Sequence, residues 1–268
     1  MPDEAAPGFP IHPGYELEVL ACPKRVRAAV AGIVLADSRD VLLVRETRHT
    51  PVYYFPAHDV RVSEFLTPTD HHTTCPFKGE ASYWTAQVGD RVLENAVWAY
   101  PDPYREAQAF KDHMAFYWDK MDVWFEEDEQ VHVHPADPKA RLDIRESRQP
   151  LRVIVEGEVI AESIDYRVLF ETGLIPRYYL PVKDVRPGIL HATALQTHCP
   201  YKGAASYWSA HLGGKAHDDL AWAYADPLPE AARIKDLVCF YQERVDAIEI
   251  DGERLPRPKS HWAATRPA

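Results

Sequence analysis

"TTCPFKGEASYW", Thr73 to Trp84, returns as "THCPYKGAASYW", Thr197 to Trp208. Only Thr74/His198, Phe77/Tyr201 and Glu80/Ala204 differ. The match extends outward on both sides. RVRAAVAGIVLADS from Arg25 aligns with PLRVIVEGEVIAES from Pro150, and YYFPAHDVR from Tyr53 with YYLPVKDVR from Tyr178. The spacing shortens by one residue after Asp-Val-Arg and then holds through VWAYPDP against AWAYADP. Solenoid repeats run to roughly 20–50 residues, and this period is far longer, so the chain is a duplicated domain. The expected units are residues 12–131 and 137–255, with tails at 1–11 and 256–268. The acidic, proline-punctuated stretch from Glu126 to Pro138 reads as the linker between them.

Within a unit the hydrophobic pattern alternates with the period of a half-buried strand. Val26, Ala28 and Val30 alternate with Arg27 and its neighbours; VLLVRET and VYYF supply further strands. SYWTAQV and VLENAVWAY flank Gly89-Asp90, with Gly213-Gly214 at the equivalent turn, which is a hairpin signal. Asp102 as N-cap and Pro103 at the first helical position predict one short helix after Asp102. The fold class expected is mainly β: two tandem homologous β-rich domains, each with one short helix.

Bulk composition narrows the functions. The 268 residues are 46% hydrophobic and 26% charged, with 30 Lys plus Arg against 41 Asp plus Glu and a net charge of −11. A nucleic-acid partner needs a basic footprint, and none is visible. No apolar run reaches the ~20 residues of a membrane span. The acidic, proline-rich start resembles neither a secretory signal nor a transit peptide, so a cytoplasmic protein is expected. Cys22, Cys75, Cys199 and Cys239 form no CxxC pair, and His71-His72 and His132/His134 have no counterparts in the other copy. No metal and no cofactor are therefore expected. P-loop, GxGxxG and GxSxG motifs are absent.

YYFPAHDVR, TTCPFKGEASYW and VWAYPDPYREA, in that order, resemble the uncharacterised family "domain of unknown function 427", once per half. The resemblance implies a small β-rich domain of the β-tent type, whose distant relatives hold zinc on paired CxxC motifs that this chain lacks. It implies no activity.

The repeated chemistry-bearing residues are the candidate site. Asp59/Asp184, Lys78/Lys202, Arg61/Arg186 and Glu46/Glu171 recur in both copies. Alternation along SYWTAQV puts Trp84 and Trp208 on the apolar face and Tyr83 and Tyr207 on the more polar one; the same parity sets Tyr54 apart from Tyr53 and Phe55. The leading expectation is a small-molecule pocket in each domain, built from Tyr54, Asp59, Lys78 and Tyr83 in the first and Tyr179, Asp184, Lys202 and Tyr207 in the second. Aromatic walls would hold an organic ligand and the charges its polar end, with or without catalysis. Two other readings stay open. Cys75 and Cys199, three residues ahead of a lysine, fit a thiol-dependent enzyme, although no repeated histidine stands by as a base. Alternatively, the repeated residues encode only the fold of an interaction module.

Overall fold

The computed structural model describes residues 4–259, and the chain divides into two compact units that meet at Asp137 and Pro138. The first unit holds strands β1 (Leu17–Ala21), β2 (Val26–Val30), β3 (Ile33–Ser38), β4 (Leu42–Glu46), β5 (Val52–Pro56), β6 (Leu66–Cys75), β7 (Gly79–Val88), β8 (Arg91–Ala99), β9 (His113–Phe116), β10 (Val123–Glu126) and β11 (Glu129–Val131). They form a seven-stranded sheet, β1-β4-β5-β9-β8-β7-β6, and a four-stranded one, β11-β10-β2-β3. Every strand pair is antiparallel. The second unit repeats the plan with β12 (Leu142–Ser147), β13 (Leu151–Val155), β14 (Glu158–Ser163), β15 (Tyr166–Glu171), β16 (Arg177–Pro181), β17 (Leu190–Cys199), β18 (Gly203–Leu212), β19 (Lys215–Ala223), β20 (Leu237–Phe240), β21 (Ala247–Ile250) and β22 (Glu253–Arg254). Its sheets run β12-β15-β16-β20-β19-β18-β17 and β14-β13-β21-β22. The protein is thus mainly β and built twice from one pattern. The acidic stretch read as linker begins inside a strand pair, since Glu126 pairs with Glu129 in the β10–β11 ladder.

Two hydrophobic clusters explain each unit. In the first, Tyr53 and Phe55 of β5 and Phe116 of β9 pack against Val26, Ala28 and Trp124 of the small sheet. The opposite face of the large sheet is buried too: Val44, Tyr54, Ala81, Tyr83 and Ala115 pack with Tyr100, Ala107 and Phe110. This second layer corrects the parity reading. Tyr83 is 7% and Tyr54 1% exposed, while Trp84 and Trp208 are only partly buried. Alternation separates two faces, but here both are covered, so the polar look of one face does not mean solvent.

The cover is the segment after Asp102. It forms a 3-10 helix, Arg105–Phe110, that starts later than capping predicts and has no side-chain cap. The preceding residues are already committed to the β6–β7 turn, where the Tyr104 N–H donates to the Lys78 carbonyl at 3.0 Å. The second unit has the same element at Pro229–Ile234. The first unit also carries two four-residue α-helices, Gly8–Ile11 and Val62–Phe65. Among the described residues no helix is long and apolar enough to cross a membrane.

Candidate functional site

The quoted motif makes the turn between β6 and β7, and its Lys-Gly pair has a steric reason. Gly79 adopts φ +113°, and a Cβ there would lie 3.2 Å from the Asp102 carbonyl oxygen; Gly203 repeats this at φ +94° against Asp226 at 3.4 Å. Only glycine takes that backbone without strain. The turn projects Lys78 across the sheet to Glu46 at the end of β4, with Nζ 2.5 Å from Oε1. In the second unit Lys202 Nζ lies 2.5 Å from Oε2 of Glu171, at the end of β15. The side chains are 11% and 9% exposed in the first pair, and 9% and 8% in the second. These ion pairs have left water almost completely.

Tyrosines make the floor beneath them. Tyr54 accepts a hydrogen bond from Trp98 Nε1 at 3.1 Å, and Tyr179 one from Trp222 at 3.2 Å. The Tyr83 hydroxyl lies 2.8 Å from Thr73 Oγ1, and Tyr207 repeats this with Thr197 at 2.8 Å. Lys78 Nζ stands 5.5 Å from the centre of the Tyr100 ring. Burial pushes the hydroxyls of Tyr54, Tyr100, Tyr179 and Tyr224 far above the ordinary tyrosine range, so all four are neutral. In the first unit Tyr15 closes the arrangement. Its hydroxyl donates to Glu46 Oε2 at 2.6 Å, and its ring stacks on Phe77 at 3.6 Å and 2°. Both oxygens of Glu46 are thereby engaged.

Cys75 and Cys199 are half-buried and pack against the aromatic clusters of their units. Cys22 and Cys239 are buried, Cys239 completely. Desolvation raises the Cys22 thiol and pushes that of Cys239 up to about 12, so both stay protonated.

The structure therefore brings Tyr54, Lys78 and Tyr83 to one face, with Tyr179, Lys202 and Tyr207 in the copy, and does not bring Asp59 or Asp184 with them. Asp59 ends the 3-10 turn Ala57–Asp59, and Asp184 ends Val182–Asp184. The next residues, Val60 and Val185, bridge to Ala36 and Ala161 of the small sheets and belong to the other core cluster. Asp184 accepts from Ser163 Oγ at 2.6 Å. The carboxylate that meets the lysine is Glu46 or Glu171. Its signal was in the sequence, because that glutamate repeats too; what hides it is that strand pairing across β4, β5, β9, β8 and β7, not chain spacing, sets which carboxylate the lysine reaches.

The second unit adds a pair with no sequence signal of repetition. Arg177 binds Glu243 through two contacts, at 2.7 and 2.8 Å. The guanidinium carbon lies 5.5 Å from the Trp222 ring centre and 5.9 Å from that of Tyr241. The first unit has Val52 and Asp119 at the equivalent positions. Among the described residues no group of three or more His, Cys, Asp or Glu is arranged to hold a metal ion.

The family model described as "Domain of unknown function (DUF427)" matches residues 18–127 and, a second time, residues 143–251. No curated protein matches the chain.

Proposed function

The chain belongs to the DUF427 family, once in each half, and from that premise we propose that each copy binds a small polar organic molecule over its Lys–Glu pair. Lys78, Tyr54 and Tyr83 serve the first site with Glu46; Lys202, Tyr179 and Tyr207 serve the second with Glu171. The observation that carries this reading is the near-complete desolvation of the same ion pair in both copies. Burying two charges costs several kcal/mol per ion, and well-packed apolar residues hold a core at least as well. A charged pair kept twice at the end of an aromatic face thus points to a use beyond holding the sheet.

The chemistry on offer is specific. The ammonium donates to a carbonyl, carboxylate or phosphate oxygen, and the glutamate accepts from a hydroxyl or amine. The neutral tyrosines present apolar ring surface with hydrogen-bonding tips. Tyr15 illustrates the acceptor half, a phenol seated on Glu46 with its ring against an aromatic neighbour. Asp59 and Asp184 take no part.

A second reading rests on the thiols. Of the four cysteines, the two that repeat are the two with solvent access, and they lie against these same clusters. A thiol-dependent reaction would use Cys75 and Cys199 as nucleophiles beside the bound molecule.

The test is retention of small molecules from a metabolite extract, identified by mass spectrometry, on the intact protein and on the variant carrying Lys78→Met, Glu46→Leu, Lys202→Met and Glu171→Leu. Compounds held by the first and lost by the folded variant support the proposal. An identical set on both, or none on either, refutes it.

A further inference from the structure

The first unit carries a cleft beside the turn that follows β4, and its walls differ in kind from the tyrosine floor. It measures about 510 Å³ and lies between the segment Ile11–Tyr15, the turn Thr47–His49 and Phe77. That volume falls within the range that holds small ligands, roughly 300–1,000 Å³. Ile11, Tyr15 and Phe77 make one wall apolar and aromatic. The His12 ring stands 6.0 Å from that of Phe77. Arg48 and His49 line it as well.

Arg48 is the residue that folding does not account for. It sits at φ +65°, a left-handed conformation that costs a residue bearing a Cβ about 1–2 kcal/mol. The second unit makes the same turn with Gly173 at φ +78°. The closing hydrogen bond is shared, His49 N–H to the Glu46 carbonyl at 3.1 Å and Leu174 N–H to that of Glu171 at 3.0 Å. Glycine is therefore the less strained choice, and the first copy keeps an arginine. Nor does an ion pair explain it. Glu46, two residues before it, already has its two oxygens on Lys78 and Tyr15, and Arg48 makes no ion pair with a described residue. In a chain of net charge −11, an exposed guanidinium with no ion-pair partner, lining an aromatic-walled cleft, is suited to receive an anion.

We propose that this cleft binds a small organic anion, a carboxylate or phosphate ester carried on an aromatic or apolar body, with Arg48 holding the anion and Tyr15, Phe77 and Ile11 receiving the body. His12 and His49 add N–H donors at the rim. The site belongs to the first unit alone; it shares Tyr15 with the arrangement at Glu46 but draws on neither charge of the Lys78–Glu46 pair, and Arg48→Gly leaves that pair in place, so the two readings are tested separately.

Isothermal titration of the full chain with phenyl phosphate and with benzoate tests it, with inorganic phosphate and phenol as the separated halves. Saturable binding of either aromatic anion at one site per chain is expected, tighter than either half alone. Arg48→Gly should weaken it at least about tenfold, the loss of one charge-assisted hydrogen bond. The same variant should melt no lower than the parent, since the second copy already uses glycine at this turn. Absence of saturable binding overturns the proposal. So does equal binding by Arg48→Gly, or a lowered melting temperature, which would return Arg48 to a structural role.

Discussion

Replacing Lys202 by methionine leaves Glu171 as a carboxylate buried without its cation. The structure sets the size of the effect. With the two side chains only 9% and 8% exposed, the pair behaves as buried, so solvent screening of the surface kind does not soften the loss. Breaking such a pair by removing one partner costs about 3–5 kcal/mol. For a domain of this size each kcal/mol lowers the midpoint by roughly 4 °C, so the second unit should melt about 12–20 °C lower. Scanning calorimetry of the full chain reads this as a lowered melting midpoint. Adding Glu171→Leu removes the stranded charge and should bring the midpoint back to within about 1 kcal/mol of the parent. Two results would refute the reasoning. A single variant within 1 kcal/mol of the parent would mean the pair is solvated. A double variant as unstable as the single one would mean that the pair itself holds the sheet, and the case for a binding role would go with it.

Iodoacetamide should label Cys75 and Cys199 before Cys22 and Cys239, because the latter two are buried and held as thiols; peptide mapping of a time course checks the order, and early labelling of Cys239 would contradict the packing. Phe110→Ala removes a fully buried ring that lies 4.9 Å from Tyr54 and 5.8 Å from Tyr100, and should cost about 3–5 kcal/mol in denaturant unfolding. A loss under 1 kcal/mol would show that the 3-10 helix does not anchor the aromatic face. The buried hydroxyls also fix behaviour at high pH. Burial raises the Tyr54, Tyr100 and Tyr179 hydroxyls far above the ordinary tyrosine value. Groups raised in the folded state lend stability that is complete below the ordinary value near 10 and is lost as pH climbs through the folded values. A large part of the phenolate absorbance should therefore appear only with alkaline unfolding; ionisation of all the tyrosines in protein that is still folded would contradict it.

Duplication made the fold legible before any coordinates, because chance does not align Cys-Pro, Lys-Gly and Ser-Tyr-Trp twice in register. Strand periodicity then identified the sheets. It misassigned Tyr83 and Tyr207 because a period of two tells which residues share a face and not what covers that face. The cover, Ala107 and Phe110, comes from a 3-10 segment whose own pattern is too short to read. The site was half legible for a related reason. Lys78 and Lys202 stand out by repetition, and so do Asp59 and Asp184 beside the Tyr-Tyr motif, but repetition alone does not say which repeated carboxylate the lysine meets. Glu46 repeats equally well; its claim depends on β4 and the β6–β7 turn meeting at one end of the sheet, a long-range fact of strand order. Arg177–Glu243 escaped because comparison of copies finds only what the copies share.

The claim on which most depends is that the Lys–Glu pairs receive a ligand. Native mass spectrometry of protein incubated with metabolite extract, run beside the variant with both pairs replaced by Met and Leu, tests it most directly. The account predicts a discrete mass increment on the parent that is missing from the equally folded variant. The same increment on both proteins would contradict it.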